Sequence, residues 1–179
     1  MQRRLLKENE RGFSMVELLI LLGMMASLAA LSIPALTSAA RDMRLIADAK
    51  NIATTINYAK MSAASQMTCY RMTFTPGTSE WSLLRLNRTT GNYELQQSAH
   101  RLSEGVSNSG IFFKANSPSG PSGLPTATAT TLTFNSRGIP VEGVSAIYLI
   151  NQNKSFAVSV SLTGKVQFWR LESDGWKAK

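Results

Sequence analysis

The side chains that most often carry out catalysis or bind metal ions are scarce in this sequence. Its 179 residues include one histidine, His100, and one cysteine, Cys69. A single imidazole and a single thiol cannot form the clustered ligands of a zinc or copper site, and one cysteine cannot form a disulfide within the chain. A Ser-His-Asp site would have to be built around the segment SAHRLSE, which has no nucleophile turn. We therefore predict that the protein is not an enzyme and binds no metal, cofactor or small-molecule substrate.

Cys69 and His100 are therefore interpreted as structural residues. Cys69 lies among Thr, Tyr and Met in a β-prone segment, where a lone cysteine most often behaves as a small buried apolar residue. We therefore place Cys69 in the core. His100 is interpreted as a loop or surface residue.

The C-terminus combines aromatic and basic side chains. Basic residues outnumber acidic ones by 19 to 11, which gives a formal charge of +8. Aromatic stacking together with positive charge suits single-stranded nucleic acid. The candidate contact residues are Lys165, Trp169, Arg170, Trp176, Lys177 and Lys179. The alternative is an ordinary strand containing Phe168 and Trp169, followed by a frayed polar tail in which Glu172 and Asp174 dilute the charge.

One carboxylate stands in an apolar setting. Glu17 is the only ionisable residue between Phe13 and Leu36. A helix over these residues, rising about 1.5 Å per residue, would extend roughly 36 Å and could cross a hydrocarbon core of about 30 Å. A carboxylate near one end of such a helix costs about a few kcal/mol unless it is neutralised, paired or close to the interface. Residues 13–36 are therefore a predicted transmembrane helix, and Glu17 is a candidate functional residue.

The residues before this helix indicate how the chain is processed. Residues 1–12, MQRRLLKENERG, are short and charged, and their basic character favours the cytoplasmic side of a membrane. The segment Arg11-Gly12-Phe13-Ser14-Met15-Val16-Glu17, followed by the apolar run, resembles the type III signal of prepilins. That resemblance implies that a dedicated peptidase and methyltransferase cuts after Gly12, removes residues 1–12 as a leader and methylates Phe13. A plain signal anchor is the alternative.

The same resemblance gives Glu17 and Pro34 roles in assembly. The free amine of Phe13 would lie one helical turn before Glu17, and these groups on neighbouring subunits would pair as helices stagger in a filament. Glu17 could instead snorkel or pair with its own terminus. A proline at position 34 also resembles pilins. Because Pro34 removes the hydrogen bond to the carbonyl of Ala30, we expect the helix to bend or loosen there.

Residues 37–67 are predicted to continue as an amphipathic helix. Apolar residues recur at alternating steps of three and four, which indicates one buried face. They are Leu45, Ala49, Ile52, Ile56, Ala59 and Ala63. The charged residues between them are interpreted as mostly solvated. They are Arg41, Asp42, Arg44, Asp48, Lys50 and Lys60. Joined to the transmembrane segment, this predicts a single helix of about 50 residues.

Residues 68–179 are predicted to form a β-rich head, because short β-prone runs alternate with turn residues. The predicted strands are Thr68–Thr75, Trp81–Leu86, Tyr93–Gln97, Ile111–Lys114, Thr130–Phe134, Ala146–Ile150, Phe156–Ser161 and Lys165–Leu171. A tight turn at Thr163-Gly164 joins the last two. Residues 116–125 are rich in Pro, Gly and Ser, and they are interpreted as an exposed loop.

The helix and the predicted strands of the head indicate which group of pilin-like proteins the chain resembles. The Ala-rich helix leading into TCYRMTFTPG, the Phe-x-x-x-Gly turn of TLTFNSRGIP and the strand pair around SVSLTGKVQF are similar to the GspH/FimT group of minor pseudopilins and minor pilins. The single cysteine also favours a minor subunit, because major pilins usually carry a disulfide-bounded C-terminal region. Residues 98–125 match no pattern of the group.

The resemblance implies an α+β, pilin-like fold in which the long N-terminal helix packs on an antiparallel β-sheet head. It implies a single-pass protein of the bacterial inner membrane with its head in the periplasm, later assembled near the tip of a type IV pilus or a type II secretion pseudopilus. The implied partners are the prepilin peptidase, other major and minor pilins or pseudopilins, and inner-membrane lipid. DNA is a further candidate partner, because some members of the group look like DNA receptors for natural transformation.

Overall fold

The computed structural model describes residues 13–75, 77–103, 112–114, 130–151 and 154–178. Three predictions lie outside these residues: the leader 1–12 with Gly12, the exposed loop 116–125, and the nucleic-acid contact Lys179. The chain divides into two compact units, Met1–Ser38 and Ala39–Lys179.

The described part of the first unit contains the beginning of helix α1, which extends over Met15–Ser65. Ser14 precedes the helix, and its Oγ accepts a hydrogen bond from Val16 N at 3.4 Å, as an N-cap residue does. Glu17 lies in the first turn, where the helix dipole favours negative charge. The helix continues through Pro34, and the bend or loosening at this residue stays a prediction.

In the second unit, helix α1 buries the apolar face that its spacing predicts. This prediction is confirmed, because all six residues of the face, from Leu45 to Ala63, are at most 1% exposed. The helix ends at Ser65. Met67 then adopts a φ of 49°, and Thr68 N donates to Ala63 O at 3.2 Å, so the chain turns out of the helix in a left-handed cap.

Nine strands follow the helix among the described residues. They are β1 Tyr70–Phe74, β2 Glu80–Leu86, β3 Tyr93–Arg101, β4 Phe112–Lys114, β5 Thr131–Phe134, β6 Ser145–Ile150, β7 Ser155–Val160, β8 Val166–Glu172 and β9 Gly175–Ala178. The antiparallel head is confirmed, and it is divided between two sheets. Their strand orders are β3-β2-β1-β5, the first sheet, and β4-β6-β7-β8-β9, the second sheet.

Alternation along the strands decides which side chains join the core. Tyr70 and Met72 of the first sheet, and Val158 and Val160 of the second, pack in one cluster with the buried face of α1. The intervening residues point to the opposite faces, because successive side chains of a strand alternate. On the second sheet these form a smaller cluster, made of Ala146, Tyr148 and Ala157 with Trp169 and Trp176 packed against it.

Two interpretations concern single residues, and the structure revises only that of Cys69. Cys69 is half-buried and precedes β1, so it is not a core residue. Because Tyr70 points into the core, alternation directs its neighbour Cys69 to the other side. His100 is exposed as expected, but it lies in the edge strand β3 and stacks on Trp81 with ring centroids 4.5 Å apart.

The strand that the alternative placed at Phe168 and Trp169 is present as β8, but the residues after it form a further strand, so the frayed tail of that alternative is wrong. Strand β9 pairs antiparallel with β8, with Leu171 opposite Trp176 and Glu172 opposite Gly175. The turn between the strands ends at Gly175, whose φ of 112° is one that glycine adopts without strain. Trp169 and Trp176, two of the candidate nucleic-acid contacts, are therefore fixed in a sheet.

Candidate assembly site

The first unit exposes a continuous apolar surface. Phe13 is 67% exposed and Leu31 is 78% exposed, and the large apolar side chains between them are also exposed. Helix α1 contains a window long and apolar enough to cross a membrane, and no part of that window is buried. Removing apolar surface from water is favourable by about 25 cal/mol per Å². The surface is therefore suited to lipid or to other helices.

The hydroxyl groups on this helix are satisfied by the helix itself. Ser27, Ser32, Thr37 and Ser38 each donate to a backbone carbonyl of the preceding turn, at 2.8 to 2.9 Å. In hydrocarbon, an unsatisfied polar group would cost several kcal/mol. Local bonding removes that cost without a partner chain.

Glu17 is the exception on the apolar surface. It is exposed, and no cation pairs with it among the described residues. Ser14 and Glu17 stand three residues apart at the start of the helix, which is the spacing of a capping box. Glu17 can therefore act as part of an N-terminal helix cap, in addition to its predicted role in pairing with neighbouring subunits.

In the head, the turn Phe134–Gly138 packs on one turn of α1. Asn135 Oδ1 accepts hydrogen bonds from Arg137 N at 2.9 Å and from Ile139 N at 3.0 Å. Gly138 has a φ of 73°, and a Cβ placed there would lie 2.9 Å from the backbone oxygen of Lys60. The Phe-x-x-x-Gly pattern thus requires its glycine for both backbone conformation and close approach to the helix.

The same helical residue holds the turn between β7 and β8. Lys60 Nζ donates to Gly164 O at 3.0 Å, and Ser161 O accepts from Gly164 N at 2.8 Å within that turn. Two of the segments on which the pilin resemblance depends, TLTFNSRGIP and SVSLTGKVQF, therefore meet at Lys60. The predicted turn at Thr163-Gly164 is present.

The helix charges were interpreted as mostly solvated, and three of them are instead held by other parts of the head. Lys60 binds the β7–β8 turn, Asp42 forms an ion pair with Lys154, and Asp48 is only 7% exposed. Helical spacing shows which face a charge occupies. It does not show that strands and loops distant in sequence come within reach of that face.

Asp48 fastens the end of β3 to the helix. Its Oδ2 accepts from Ser103 N at 2.8 Å, and its Oδ1 accepts from Ser103 Oγ at 3.1 Å. Burial raises the pKa of Asp48 above its ordinary 3.8, and the two hydrogen bonds from Ser103 oppose that rise. The carboxylate is thus held in a setting that disfavours its charge.

We predict that Asp48→Asn flattens the pH dependence of head stability. Since the folded state binds a proton at Asp48 more tightly than the unfolded state, this residue makes stability fall as pH rises from the ordinary aspartate pKa through the raised one. Asparagine keeps an acceptor for Ser103 N and does not titrate. Denaturant midpoints measured by tryptophan fluorescence between about pH 4 and pH 7 should favour the variant increasingly as pH rises. Parallel curves for the two proteins would contradict the prediction.

The sheet separates the candidate nucleic-acid residues onto two faces. Trp169 and Trp176 lie in the smaller cluster, and Trp169 Nε1 donates to Ser159 Oγ at 2.8 Å. Arg170 lies opposite Lys177 in the β8–β9 register, on the other face. The aromatic and cationic groups predicted to act together are therefore not brought together.

Lys177 and Lys165, the other described cations of that set, do not form a basic cluster free of acidic partners. Lys177 is engaged by Glu172 at 3.0 Å and Asp174 at 3.5 Å, and the hydrogen bond and charge of Glu172 raise the pKa of Lys177. Lys165 is exposed before β8, and its backbone N donates to Ser161 Oγ. No continuous basic and aromatic surface results among the described C-terminal residues.

Comparison with known proteins finds one matching family model and several solved structures with a similar fold. The family model described as Type II transport protein GspH matches residues 48–164. Among solved structures, the minor pseudopilin EpsH from the type 2 secretion system of Vibrio cholerae is similar with a TM-score of 0.51 and 13% identity, over 70% of this chain and 95% of that one. The type IV minor pilin FimU of Pseudomonas aeruginosa gives 0.51 and 19%, over 77% and 94%. No curated protein sequence matches.

Proposed function

This chain belongs to the GspH family of type II transport proteins and is a minor pseudopilin or minor pilin, and from that premise we propose that it is processed at Gly12, anchored by its apolar helix and assembled into a filament through that same helix. The observation that carries the proposal is the exposed apolar surface from Phe13 to Leu36, interrupted by one carboxylate. A surface of this length needs lipid before assembly and neighbouring helices afterwards. Its function is structural, as in the rest of the family, and it needs no catalytic residues.

Processing is the first step of the proposed function. Cleavage after Gly12 would leave Phe13 as the N-terminus, directly before the N-cap Ser14. The new ammonium group would then stand at the start of α1 and close to Glu17 in sequence. A prepilin peptidase and methyltransferase is the proposed enzyme, and inner-membrane lipid is the proposed first environment of the helix.

We predict that the mature protein begins with N-methylated Phe13. Intact-mass and N-terminal peptide mass spectrometry of protein purified from cells should show loss of residues 1–12, and full-length precursor should accumulate in cells that lack the peptidase. Gly12→Ala is the matched change that leaves the helix unaltered, and we expect it to slow cleavage strongly. A mature protein that retains residues 1–12, or that has lost the apolar helix, would contradict the proposal.

The proposed location of the head is the periplasm, and the proposed position in the filament is near the tip. The basic residues before the helix support the orientation, since positive flanks stay in the cytoplasm. The family and fold support a minor subunit, either of a type II secretion pseudopilus or of a type IV pilus. The partners in both cases are other pilins or pseudopilins.

DNA capture was the alternative function. Its proposed contacts are divided between two faces of the second sheet, and Lys177 is already paired with acidic residues. No contact among the described residues favours it, and assembly remains the proposed function.

A further inference from the structure

A pocket opens between α1 and the second sheet of the head. Its volume is about 390 Å³. The helix contributes Ile46, Ala49 and Lys50, β7 contributes Phe156, and β8 contributes Phe168 and Arg170. Protein interiors are normally packed without gaps larger than a water molecule. A recess of this size at the edge of the core is therefore a place where a further group can be received.

The walls of the pocket are mainly apolar. Phe156 and Phe168 face the helix because they alternate with the residues of the smaller cluster on the opposite face. Ala49 provides only a methyl group on the helix side, which leaves the space between the two phenylalanines and α1 open. An apolar side chain placed there would be buried between the helix and the sheet.

Two cationic side chains, those of Lys50 and Arg170, line the same pocket. Lys50 is exposed at its rim, and the described lining residues include no acidic side chain. Arg170 Nε is buried, and it finds no hydrogen-bond acceptor among the described residues. A buried donor without a partner destabilises the fold, and an acceptor supplied by another molecule removes that cost. A carboxylate is the acceptor that complements both cations.

We propose that this pocket receives an apolar side chain of a neighbouring filament subunit, with a carboxylate next to that side chain bound by Arg170 and Lys50. The proposal rests on the proposed function, since it assigns a contact surface to the assembled subunit. An apolar anchor in a pocket with charged groups at its rim is the arrangement that dominates binding energy in many protein interfaces. The charge complementarity selects an acidic partner segment.

Photo-crosslinking of the full-length chain in cells tests the contact. Benzoyl-phenylalanine would replace Ile46, which is half-buried in the pocket wall, and in a control it would replace Met61, which is 70% exposed on the same helix. The expected result at position 46 is a crosslink to another pilin-like subunit, at a peptide with Asp or Glu beside the linked residue. We expect Lys50→Glu to lower the yield about tenfold, because a like charge would then face the carboxylate of the partner.

A second pair of variants tests whether the open space of the pocket is needed for the contact. Ala49→Leu should fill the pocket and lower the crosslink yield to the background level, whereas Ala47→Leu adds the same atoms at an exposed position of the same helix and should leave it unchanged. Unfolding midpoints from tryptophan fluorescence would identify any loss of folding in Ala49→Leu. Lys50→Glu changes an exposed side chain and provides the test without a change in the core.

Several outcomes would overturn the inference. They are a crosslink at position 46 to phospholipid, a crosslink to a protein that is not a filament subunit, equal yields to the same partner from positions 46 and 61, and yields unaffected by Lys50→Glu. Failure of the proposed function would look different, because the chain would then be absent from isolated filaments whichever residue stands at position 46. Normal filament incorporation without a pocket crosslink would reject only the pocket.

Discussion

Replacing Glu17 with alanine is expected to abolish incorporation of the chain into filaments while leaving its insertion into the membrane intact. Among the described residues no cation pairs with Glu17, and the proposed cleavage creates an ammonium group on Phe13 of every subunit. Removing one member of a buried ion pair costs about 3–5 kcal/mol, because the other charge stays buried without a partner. Such a loss corresponds to a reduction of at least about a hundredfold in assembly.

Two further variants separate charge pairing from helix capping. Ser14 and Glu17 have capping-box spacing, and glutamine serves that motif as well as glutamate does. Glu17→Gln keeps the cap and loses the charge, so we expect it to fail as alanine does. Glu17→Asp keeps the charge and should retain part of the assembly. The measurements are the amount of chain in sheared and purified filaments and the amount in the membrane fraction.

The outcomes distinguish the two roles of Glu17. Normal assembly of Glu17→Gln together with failure of Glu17→Ala would assign the residue to the helix start alone. Normal assembly of both would remove Glu17 from the assembly mechanism. Loss of all variants from the membrane fraction would show that the carboxylate acts in insertion.

Gly138→Ala is expected to destabilise the head by about 2–4 kcal/mol. One part of this loss is the left-handed φ of 73°, which costs a residue with a Cβ roughly 1–2 kcal/mol. The other part is the approach of the new Cβ to within 2.9 Å of the Lys60 backbone oxygen. That oxygen belongs to the helix and cannot move aside as a flexible side chain can. The turn Phe134–Gly138 would therefore separate from α1.

Gly91→Ala is the matched control for this substitution. Its φ of 72° is almost the same, and nothing lies within 4 Å of the position that its Cβ would occupy. It should show the conformational cost alone, roughly 1–2 kcal/mol. Urea unfolding of the full-length protein in detergent, followed by tryptophan fluorescence, reports on the head, because Trp81, Trp169 and Trp176 all lie there. Equal losses for the two variants would contradict the role assigned to the contact with Lys60.

Much of the fold was predictable from local pattern. The apolar face of α1 from Leu45 to Ala63 repeats every three or four residues, and the structure buries it as that period requires. The strands β1, β2, β5, β6, β7 and β8 follow β-prone runs bounded by turn residues. These signals depend on neighbours in the sequence, which is why they could be identified without tertiary information.

Contacts between distant segments were not predictable in the same way. Lys60 and Gly164 are 104 positions apart, and Asp48 and Ser103 are 55 apart. Nothing in the helical pattern distinguishes these charges from solvated ones. Strand β9 was missed because it is only four residues long, and its pairing with β8 determines its structure more than its own composition does.

The candidate functional residues also differ in whether neighbouring or distant parts of the sequence define them. The segment Gly12 to Glu17 is a continuous motif, so its processing and pairing could be proposed from the sequence. The pocket between Ala49, Phe156 and Arg170 combines helix α1 with two strands that lie more than a hundred residues further along the chain, and only the fold brings them together. The alternation of β8 sends Trp169 and Arg170 to opposite faces. The predicted strand Lys165–Leu171 already implied this alternation, so the sequence could have separated the two residues.

The hydrogen bonds that Ser27, Ser32, Thr37 and Ser38 form within their own helix affect how readily that helix can move between a bilayer and a filament. Since each hydroxyl is satisfied within its own helix, a subunit that exchanges a bilayer for a bundle of helices breaks and forms no hydrogen bond at these positions. The contribution of these four hydroxyl groups to the free energy of that exchange is close to zero in either direction. In the proposed assembly, these four groups therefore oppose neither the entry of the helix into a filament nor its return to the bilayer.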